Sequence, residues 1–244
     1  MTKSQLVSRE DQEAFSAIAE RLHKIEYQIG EACAKCGRDR NEITVMAVTK
    51  TVAPKYINFA VEQGITLLGE NRAQELTEKY DDYILKQENI HFIGHLQTNK
   101  VRQIIDKVCL IQSVDSLRLA QEIDRQAEKR DRIMDVLLEV NIGQEESKSG
   151  IPAGEALPLA ESVLQLSHLR LRGLMAIPTV EHPERDFANM EELFHQMKAK
   201  FSDSASMDIL SLGMSGDYPL AVEHGSTLVR LGSAIFGPRK PVLP

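Results

Sequence analysis

The sequence predicts an α/β protein, a single TIM-like barrel of eight parallel strands, (β/α)8, with an extra helix at its N-terminus. After residue 43, short apolar runs alternate with longer amphipathic segments, which is typical of parallel strands joined by helical crossovers. Eight such runs occur, the strand number of a closed barrel. The length of 244 residues suits a barrel that forms one domain of about 250 residues. An open, doubly wound sheet is the alternative that this pattern leaves.

The first element of the prediction is one long amphipathic helix over residues 8–37. Ser8 and Asp11 have the spacing of an N-terminal capping box, and Gly37 is typical of a helix end. Between them, apolar residues recur every three or four positions and form one face: Phe15, Ile18, Leu22, Ile25, Ile29, Ala32 and Cys36. We expect this face to pack on the protein's own core rather than on a partner.

The barrel is predicted over residues 43–237, and residues 238–244 are interpreted as an irregular tail. The runs that we interpret as strands are 43–48, 65–68, 91–93, 108–111, 133–140, 169–176, 208–212 and 228–231. The helical segments between them begin near Pro54, Asn71, Thr98, Ser116, Pro158, Pro183 and Asp217. No linker separates these elements, so we expect a single barrel domain over residues 1–244.

The amino-acid composition argues against several classes of function. Lysine and arginine number 29 against 36 aspartates and glutamates, a net charge of −7, which disfavours binding to nucleic acid or anionic membranes. No apolar run approaches the roughly 20 residues of a membrane span, and the N-terminus lacks the apolar core of a signal peptide. The Cys33/Cys36 pair lies at the end of the predicted helix and has no second pair to form a zinc site. We expect a cytoplasmic protein without a metal.

A single lysine stands out at the predicted active end of the barrel. In such barrels the site lies at the carboxyl ends of the strands, and Lys50 follows the first run directly. Partial removal from water lowers the pKa of a lysine, and the neutral amine can then attack a carbonyl carbon to form a Schiff base. The alternative is a lysine at the rim that extends its ammonium group into water.

Two glycine-containing turns follow the last two strands. Gly213, Met214, Ser215, Gly216 and Asp217 come after the seventh run, and Gly232 and Ser233 after the eighth. Barrels frequently bind phosphate with these two loops, through backbone N–H groups near a helix start. The first turn is not the nucleophile elbow G-x-S-x-G, because Asp217 replaces its second glycine. The turns therefore predict a phosphorylated ligand.

A Schiff-base lysine with a phosphate site suggests pyridoxal phosphate, or a phosphosugar bound by a class I aldolase. Arg230, in the eighth run, could donate a hydrogen bond to a pyridine nitrogen and keep that nitrogen unprotonated. The alternative for Arg230 is an ion pair that closes the barrel. His95, after the third run, is a further candidate for ligand contact, whereas Lys148 is interpreted as part of a charged loop.

At these residues the sequence resembles the pyridoxal phosphate homeostasis protein family, single-domain relatives of the alanine racemase N-terminal barrel, fold type III of the pyridoxal phosphate proteins. The matching stretches are AVTKT at 47–51, GENRAQE at 69–75, HFIGHLQTNK at 91–100, LLEVNIGQEESKSGI at 137–151 and LSLGMSGDYPLAVEHGSTLVRLGSAIFG at 210–237. They span most of the chain in the expected order, and the last is long and highly specific.

The resemblance implies that pyridoxal 5'-phosphate is bound as an aldimine of Lys50. The other residues it implies around the cofactor are Ser215, Gly232 and Ser233 at the phosphate, Arg230 near the pyridine nitrogen, Asn71 near the cofactor, and Met214 as a pocket wall. Two positions depart from the family pattern. Arg72 stands where many members have an aromatic residue, and Ser233 stands where threonine is common, a change that keeps the hydroxyl.

The function that the resemblance implies is intracellular pyridoxal phosphate (vitamin B6) homeostasis and amino-acid balance, without robust turnover. Racemases of this fold pair the lysine with a tyrosine from an additional C-terminal domain, and this chain ends at Pro244, so we expect no catalytic residue. The alternatives are a pyridoxal phosphate-dependent amino-acid racemase or lyase and, third, the aldolase. We expect a monomer whose partners are pyridoxal phosphate and the apoenzymes that need it. A second, weaker cofactor site near Lys148 is left open.

Overall fold

The computed structural model describes residues 8–145 and 148–238, and within them eight parallel strands form a closed barrel. The strands are β1 (Thr44–Val48), β2 (Leu67–Glu70), β3 (Ile90–Phe92), β4 (Leu110–Val114), β5 (Met134–Val140), β6 (Leu169–Ala176), β7 (Ile209–Ser211) and β8 (Leu228–Leu231). Each pairs with its neighbour in sequence, and β1 pairs with β8 to close the ring. The predicted barrel is confirmed, and the open sheet is excluded.

Helices surround the barrel. They are α1 (Arg9–Cys36), α2 (Pro54–Glu62), α3 (Ala73–Lys79), α4 (Val101–Ile104), α5 (Leu117–Glu128), α6 (Ala156–Val163), α7 (Pro183–Lys200), α8 (Tyr218–Glu223) and α9 (Ser233–Phe236). Their starts agree with the predicted ones to within three residues. The largest difference is at α4, which begins at Val101 rather than near Thr98. No helix in the described ranges is long and apolar enough to cross a membrane.

The N-terminal helix α1 has the predicted ends and the predicted partner. Ser8 Oγ accepts a hydrogen bond from the Asp11 N–H at 3.1 Å, and Gly37 adopts the left-handed conformation with φ 72°. The buried face contains Ile18, Leu22, Ile25 and Ile29, and α1 packs against α2, α8 and α9. The apolar stripe therefore belongs to the protein's own core. The cysteine pair lies in the last turns of α1, with Cys33 buried and Cys36 exposed.

Two strands extend beyond their apolar runs, which corrects the predicted boundaries. β2 includes Gly69 and Glu70, which we expected in the following loop, and β4 continues through Gln112 and Ser113 to Val114. Glu70 can remain in the strand because its side chain lies on the outer face of the barrel wall. There its buried carboxylate accepts hydrogen bonds from the hydroxyls of Thr49 and Tyr83. Polar residues ended the apolar runs without ending the strands.

The N-terminal ends of β5–β7 form one end of the barrel, which we call the floor: Asp135, Arg170, Arg172 and Asp208. Asp135 accepts hydrogen bonds from Arg170 Nε at 2.6 Å and from Arg172 Nη1 at 2.5 Å. Arg172 also pairs with Asp208, and these carboxylates raise the pKa of its guanidinium. Glu146, Ser147 and residues 239–244, nearly all of the predicted tail, lie outside the described residues.

Candidate functional site

Lys50 lies at the carboxyl end of β1, on the interior side of the barrel. Met46 and Val48 belong to an apolar cluster inside the barrel, and Lys50, two residues after the end of β1, lines the same cavity as Val48. The lysine is partly buried. The structure thus brings the amine to the mouth of the barrel, the end formed by the carboxyl ends of the strands.

The turn that carries Lys50 is held by α3. Thr51 has φ 64°, a conformation uncommon for a residue other than glycine, and its N–H donates to Glu75 Oε1 at 2.5 Å. Lys79 Nζ pairs with the same carboxylate and donates to the Thr49 carbonyl at 3.2 Å. Burial raises the pKa of Glu75, but the hydrogen bonds from Lys79 and from the Thr51 N–H outweigh it and lower the pKa. Glu75 therefore remains a carboxylate that fixes the backbone next to Lys50.

A cavity of about 490 Å³ opens beside this turn. Three of the predicted site residues line it: Lys50, Gly232 and Ser233. Its other walls come from α1 and from the apolar side chains around the first and last strands, including Ala14, Ala17, Ile18, Arg21, Val52, Tyr56 and Phe236. Sequence reasoning missed the contribution of α1, because no pattern in the sequence shows where that helix docks.

The turns after β7 and β8 come together at a single oxygen atom. Ser215 Oγ accepts hydrogen bonds from the backbone N–H of Gly232 at 3.2 Å and of Ala234 at 3.0 Å. The first turn is braced by Asp217, whose carboxylate accepts from the Met214 N–H at 2.6 Å. Two backbone donors thus converge on one acceptor oxygen, the arrangement that a phosphate oxygen also requires.

Arg230 is buried inside the barrel and bound by oxygen atoms of two neighbouring strands. Its Nη1 donates to the carbonyl and hydroxyl of Ser211 at 2.7 and 2.8 Å, and Nη2 donates to the Ala176 carbonyl at 2.9 Å. These partners are neutral, unlike the ion pair considered as the alternative. Burial lowers the pKa of Arg230 to about 10, so the guanidinium remains charged at neutral pH.

Hydrogen bonds continue from Arg230 along the barrel axis, in what we call the interior chain: Arg230, Ser211, Gln112 and His91. Ser211 Oγ donates to Gln112 Oε1 at 2.7 Å, and Gln112 Nε2 lies 2.9 Å from His91 Nδ1. Burial lowers the pKa of His91 to about 3, so the ring is neutral and Nδ1 accepts from the amide. Sequence reasoning missed this chain; the available signal was polar residues at inward-facing positions of the strands.

Four of the predicted site residues do not line the cavity: Asn71, Met214, Ser215 and Arg230. Asn71 Oδ1 is buried and has no hydrogen-bond partner among the described residues. The loop after β3 packs tightly on it, because a Cβ at Gly94 would lie 2.1 Å from the Asn71 carbonyl oxygen. The predicted residues therefore form two adjacent sets, one around the cavity and one near the barrel axis, joined by the Ser215–Gly232 hydrogen bond.

Comparison with known proteins identifies the family. The profile of the alanine racemase N-terminal domain matches residues 16–240. The pyridoxal phosphate homeostasis protein of Aquifex aeolicus is 40% identical over 227 residues, covering 91% of this chain and 98% of the relative. That of Escherichia coli strain K12 is 39% identical over 229 residues, covering 91% and 97%. The chain belongs to the pyridoxal phosphate homeostasis protein family.

Solved structures of similar proteins share the architecture. A protein of unknown function from Bifidobacterium adolescentis has a TM-score of 0.84 at 34% identity, covering 93% of this chain and 97% of that one. PipY of Synechococcus elongatus, solved with pyridoxal phosphate bound, has a TM-score of 0.75 at 29% identity, covering 90% and 100%. Alanine racemase from Corynebacterium glutamicum, with a TM-score of 0.70 at 13% identity, shares the fold alone.

Three other residues singled out in the sequence are exposed to solvent. Arg72, the departure from the family pattern, is exposed and precedes α3. His95 is exposed, with Nδ1 3.3 Å from Asp115 Oδ2. Lys148 is exposed in the loop after β5. Their exposure is consistent with contacts to solvent.

Proposed function

We propose that the protein binds pyridoxal 5'-phosphate at the barrel mouth and acts in homeostasis of this cofactor, without robust turnover of any substrate. The observation that carries the proposal is the position of Lys50, at the end of β1 beside a cavity that Gly232 and Ser233 also line. Family membership supports it, since relatives at about 40% identity are named pyridoxal phosphate homeostasis proteins and PipY was solved with the cofactor.

Each residue has a role in this proposal. The Lys50 amine forms a Schiff base with the aldehyde of the cofactor, with loss of water. The backbone N–H groups of Gly232 and Ser233 would hold the phosphate, a phosphate oxygen replacing Ser215 Oγ as the acceptor of the Gly232 N–H, and the Ser215 hydroxyl would then donate to the phosphate. Asn71 lies next to the cofactor at the mouth, and Met214 supplies an apolar wall. The residues present fit the cofactor, because donors converge where an anionic oxygen would bind.

Arg230 affects which chemistry the bound cofactor could support: it disfavours transamination and suits reactions at the α-proton of an amino acid. Bound pyridoxal phosphate supplies an electrophilic carbon and a ring that withdraws electrons, most strongly when its nitrogen is protonated. A guanidinium that is charged at neutral pH can donate a hydrogen bond to this nitrogen but does not give up a proton to it. Arg230 therefore keeps the ring a weak electron acceptor.

The tyrosine that lines the cavity is a poor second base. Racemisation requires one group to remove the proton and another to return it on the opposite face. Tyr56 lines the cavity, but its hydroxyl donates to Asp11 Oδ1 at 2.7 Å, and this hydrogen bond raises the pKa of the tyrosine. Tyr56 therefore holds its proton. An amino-acid racemase or lyase remains the alternative function, and a monomer that passes the cofactor to apoenzymes completes the proposal.

The test is the visible absorption spectrum of the purified protein and its Lys50→Ala variant, followed by borohydride reduction and peptide mass mapping. We expect a visible band in the wild type, its loss in Lys50→Ala, and a pyridoxyl adduct on Lys50. Lys148→Ala is the matched control and should keep the band. Absence of the band with excess pyridoxal phosphate would refute the proposal.

Turnover assays distinguish a homeostasis protein from an amino-acid racemase or lyase. We expect the cofactor-loaded protein to form less than one equivalent of racemised or cleaved product from each amino acid tested. Steady product formation well beyond one equivalent, abolished in Lys50→Ala, would instead establish the racemase or lyase.

A further inference from the structure

Glu139 is a buried acid at the mouth that none of the roles above uses. The strand register pairs Glu139 of β5 with Met175 of β6, and Met175 with Ser211 of β7. Residues paired in parallel strands point to the same face, and Ser211 points into the barrel, where it contacts Gln112 and Arg230. The Glu139 side chain therefore faces the interior in the same layer as the oxygen atoms that bind Arg230.

One oxygen of this carboxyl group has no protein partner. Glu139 is 6% exposed, and its Oε2 makes no hydrogen bond with any described residue. The backbone is satisfied, since the Glu139 carbonyl accepts from the Ile151 N–H at 2.9 Å. A buried polar atom without a partner costs free energy, so such atoms are rare and are typical of sites completed by a ligand.

Two charged groups act on Glu139: Asp115 and Arg230. Asp115, after β4, repels a negative charge, and Asp115 itself contacts His95. Arg230 of β8 attracts one, whereas Met175 and Ser211 of β6 and β7 carry no charge. Burial is the largest influence and raises the pKa of Glu139 to about 7, with Asp115 acting in the same direction and Arg230 against it. At neutral pH the carboxyl group is therefore partly protonated and can donate a hydrogen bond.

The topology indicates which part of the ligand reaches this acid. In a closed eight-stranded barrel β1 and β5 lie on opposite sides, so Lys50, which follows β1, and Glu139 of β5 belong to opposite walls of the mouth. The proposed function assigns the aldehyde to Lys50, the phosphate to the turns after β7 and β8, and the ring nitrogen to Arg230. The phenolic oxygen of pyridoxal phosphate is the remaining hydrogen-bond acceptor of the ring.

We propose that Glu139 is a further cofactor-binding residue, whose protonated carboxyl group donates a hydrogen bond from Oε2 to the phenolic oxygen of pyridoxal phosphate. This inference rests on the proposed function. Loss of the proton converts the donor into a second anion beside the phenolate, so binding weakens as the pH rises through the pKa of Glu139. A glutamine at this position retains an N–H donor but cannot lose it.

The experiment measures the apparent Kd of pyridoxal phosphate between pH 6 and 8.5 for the wild type, Glu139→Gln and Glu139→Leu. Titration of the cofactor and of Lys50 affects all three proteins, so the informative quantity is the ratio of wild-type Kd to Glu139→Gln Kd. We expect this ratio to rise about tenfold around pH 7, the effect of one charge-assisted hydrogen bond, and Glu139→Leu to bind weakly throughout. A ratio that is independent of pH would overturn the inference.

Asp115→Asn provides an independent test that leaves Glu139 in place. Removing the neighbouring negative charge lowers the pKa of Glu139, so the pH midpoint of the wild-type affinity change should move to lower pH. An unchanged midpoint, in a variant with wild-type thermal stability, would also overturn the inference. Failure of the proposed function is distinguishable, because the wild type would then bind no cofactor at Lys50 at any pH.

Discussion

The two ends of the barrel differ in how many of their buried polar groups have hydrogen-bond partners. At the floor, Asp135 is bound by two arginines, and Arg172 is shared with Asp208. In the described part of the chain, the buried side-chain oxygens without a partner belong to Glu70, Asn71, Ser113 and Glu139, all at or near the carboxyl ends of strands. This chain therefore pairs its polar groups at the floor and leaves some without a partner at the end where barrels bind ligands.

The largest expected effect is at the floor. Asp135→Ala leaves Arg170 without its carboxylate and Arg172 with only the exposed Asp208, so we expect the free energy of unfolding to fall by about 3 kcal/mol. Urea denaturation measures this fall in the free energy of unfolding. Asp208→Ala is the matched control, and because that pair is more exposed we expect a loss of about 1 kcal/mol or less. Equal losses in the two variants would contradict the assigned role of Asp135.

The second effect concerns His91, which connects the two ends through the interior chain. The unfolded chain takes up a proton on this histidine below its ordinary pKa of 6.5, whereas the folded protein does so only near pH 3. The contribution of neutral His91 to the free energy of unfolding is therefore fully present above pH 6.5 and is lost as the pH falls below that value. Between pH 7.5 and 5 we expect a loss of about 2 kcal/mol beyond that of His91→Gln. Parallel losses in both proteins would refute neutral burial of His91.

The smallest expected effect is the difference between two buried serines, Ser211 and Ser113. Ser211→Ala removes the hydroxyl that donates to Gln112 and accepts from Arg230, so we expect a loss of about 1 kcal/mol in the free energy of unfolding. Ser113→Ala is the control. The Ser113 hydroxyl has no hydrogen-bond partner among the residues that the structure describes, so its removal should be neutral or stabilising. The same thermal shift in both variants would remove the distinction between satisfied and unsatisfied hydroxyls.

Much of this architecture could be predicted because parallel strands buried on both faces produce apolar runs. The runs located all eight strands, and the polar residues after them pointed to Lys50, Ser215 and Gly232. Closure of the barrel could not be derived from the pattern, since it depends on β1 pairing with β8. The interior chain was missed because Gln112 ended an apolar run, and Glu139 because it lay within one.

The position of α1 has a consequence for the order of folding. This helix leaves the ribosome before the barrel strands, yet its buried face packs against α8, which begins at Tyr218, and against α9 near the end of the barrel. Contacts between residues so far apart in sequence close late, because the loop-closure entropy must be offset first. We therefore expect the nascent chain to carry an uncovered apolar face on α1 for most of its synthesis. Because α1 also walls the cavity beside Lys50, that cavity would be among the last features to form.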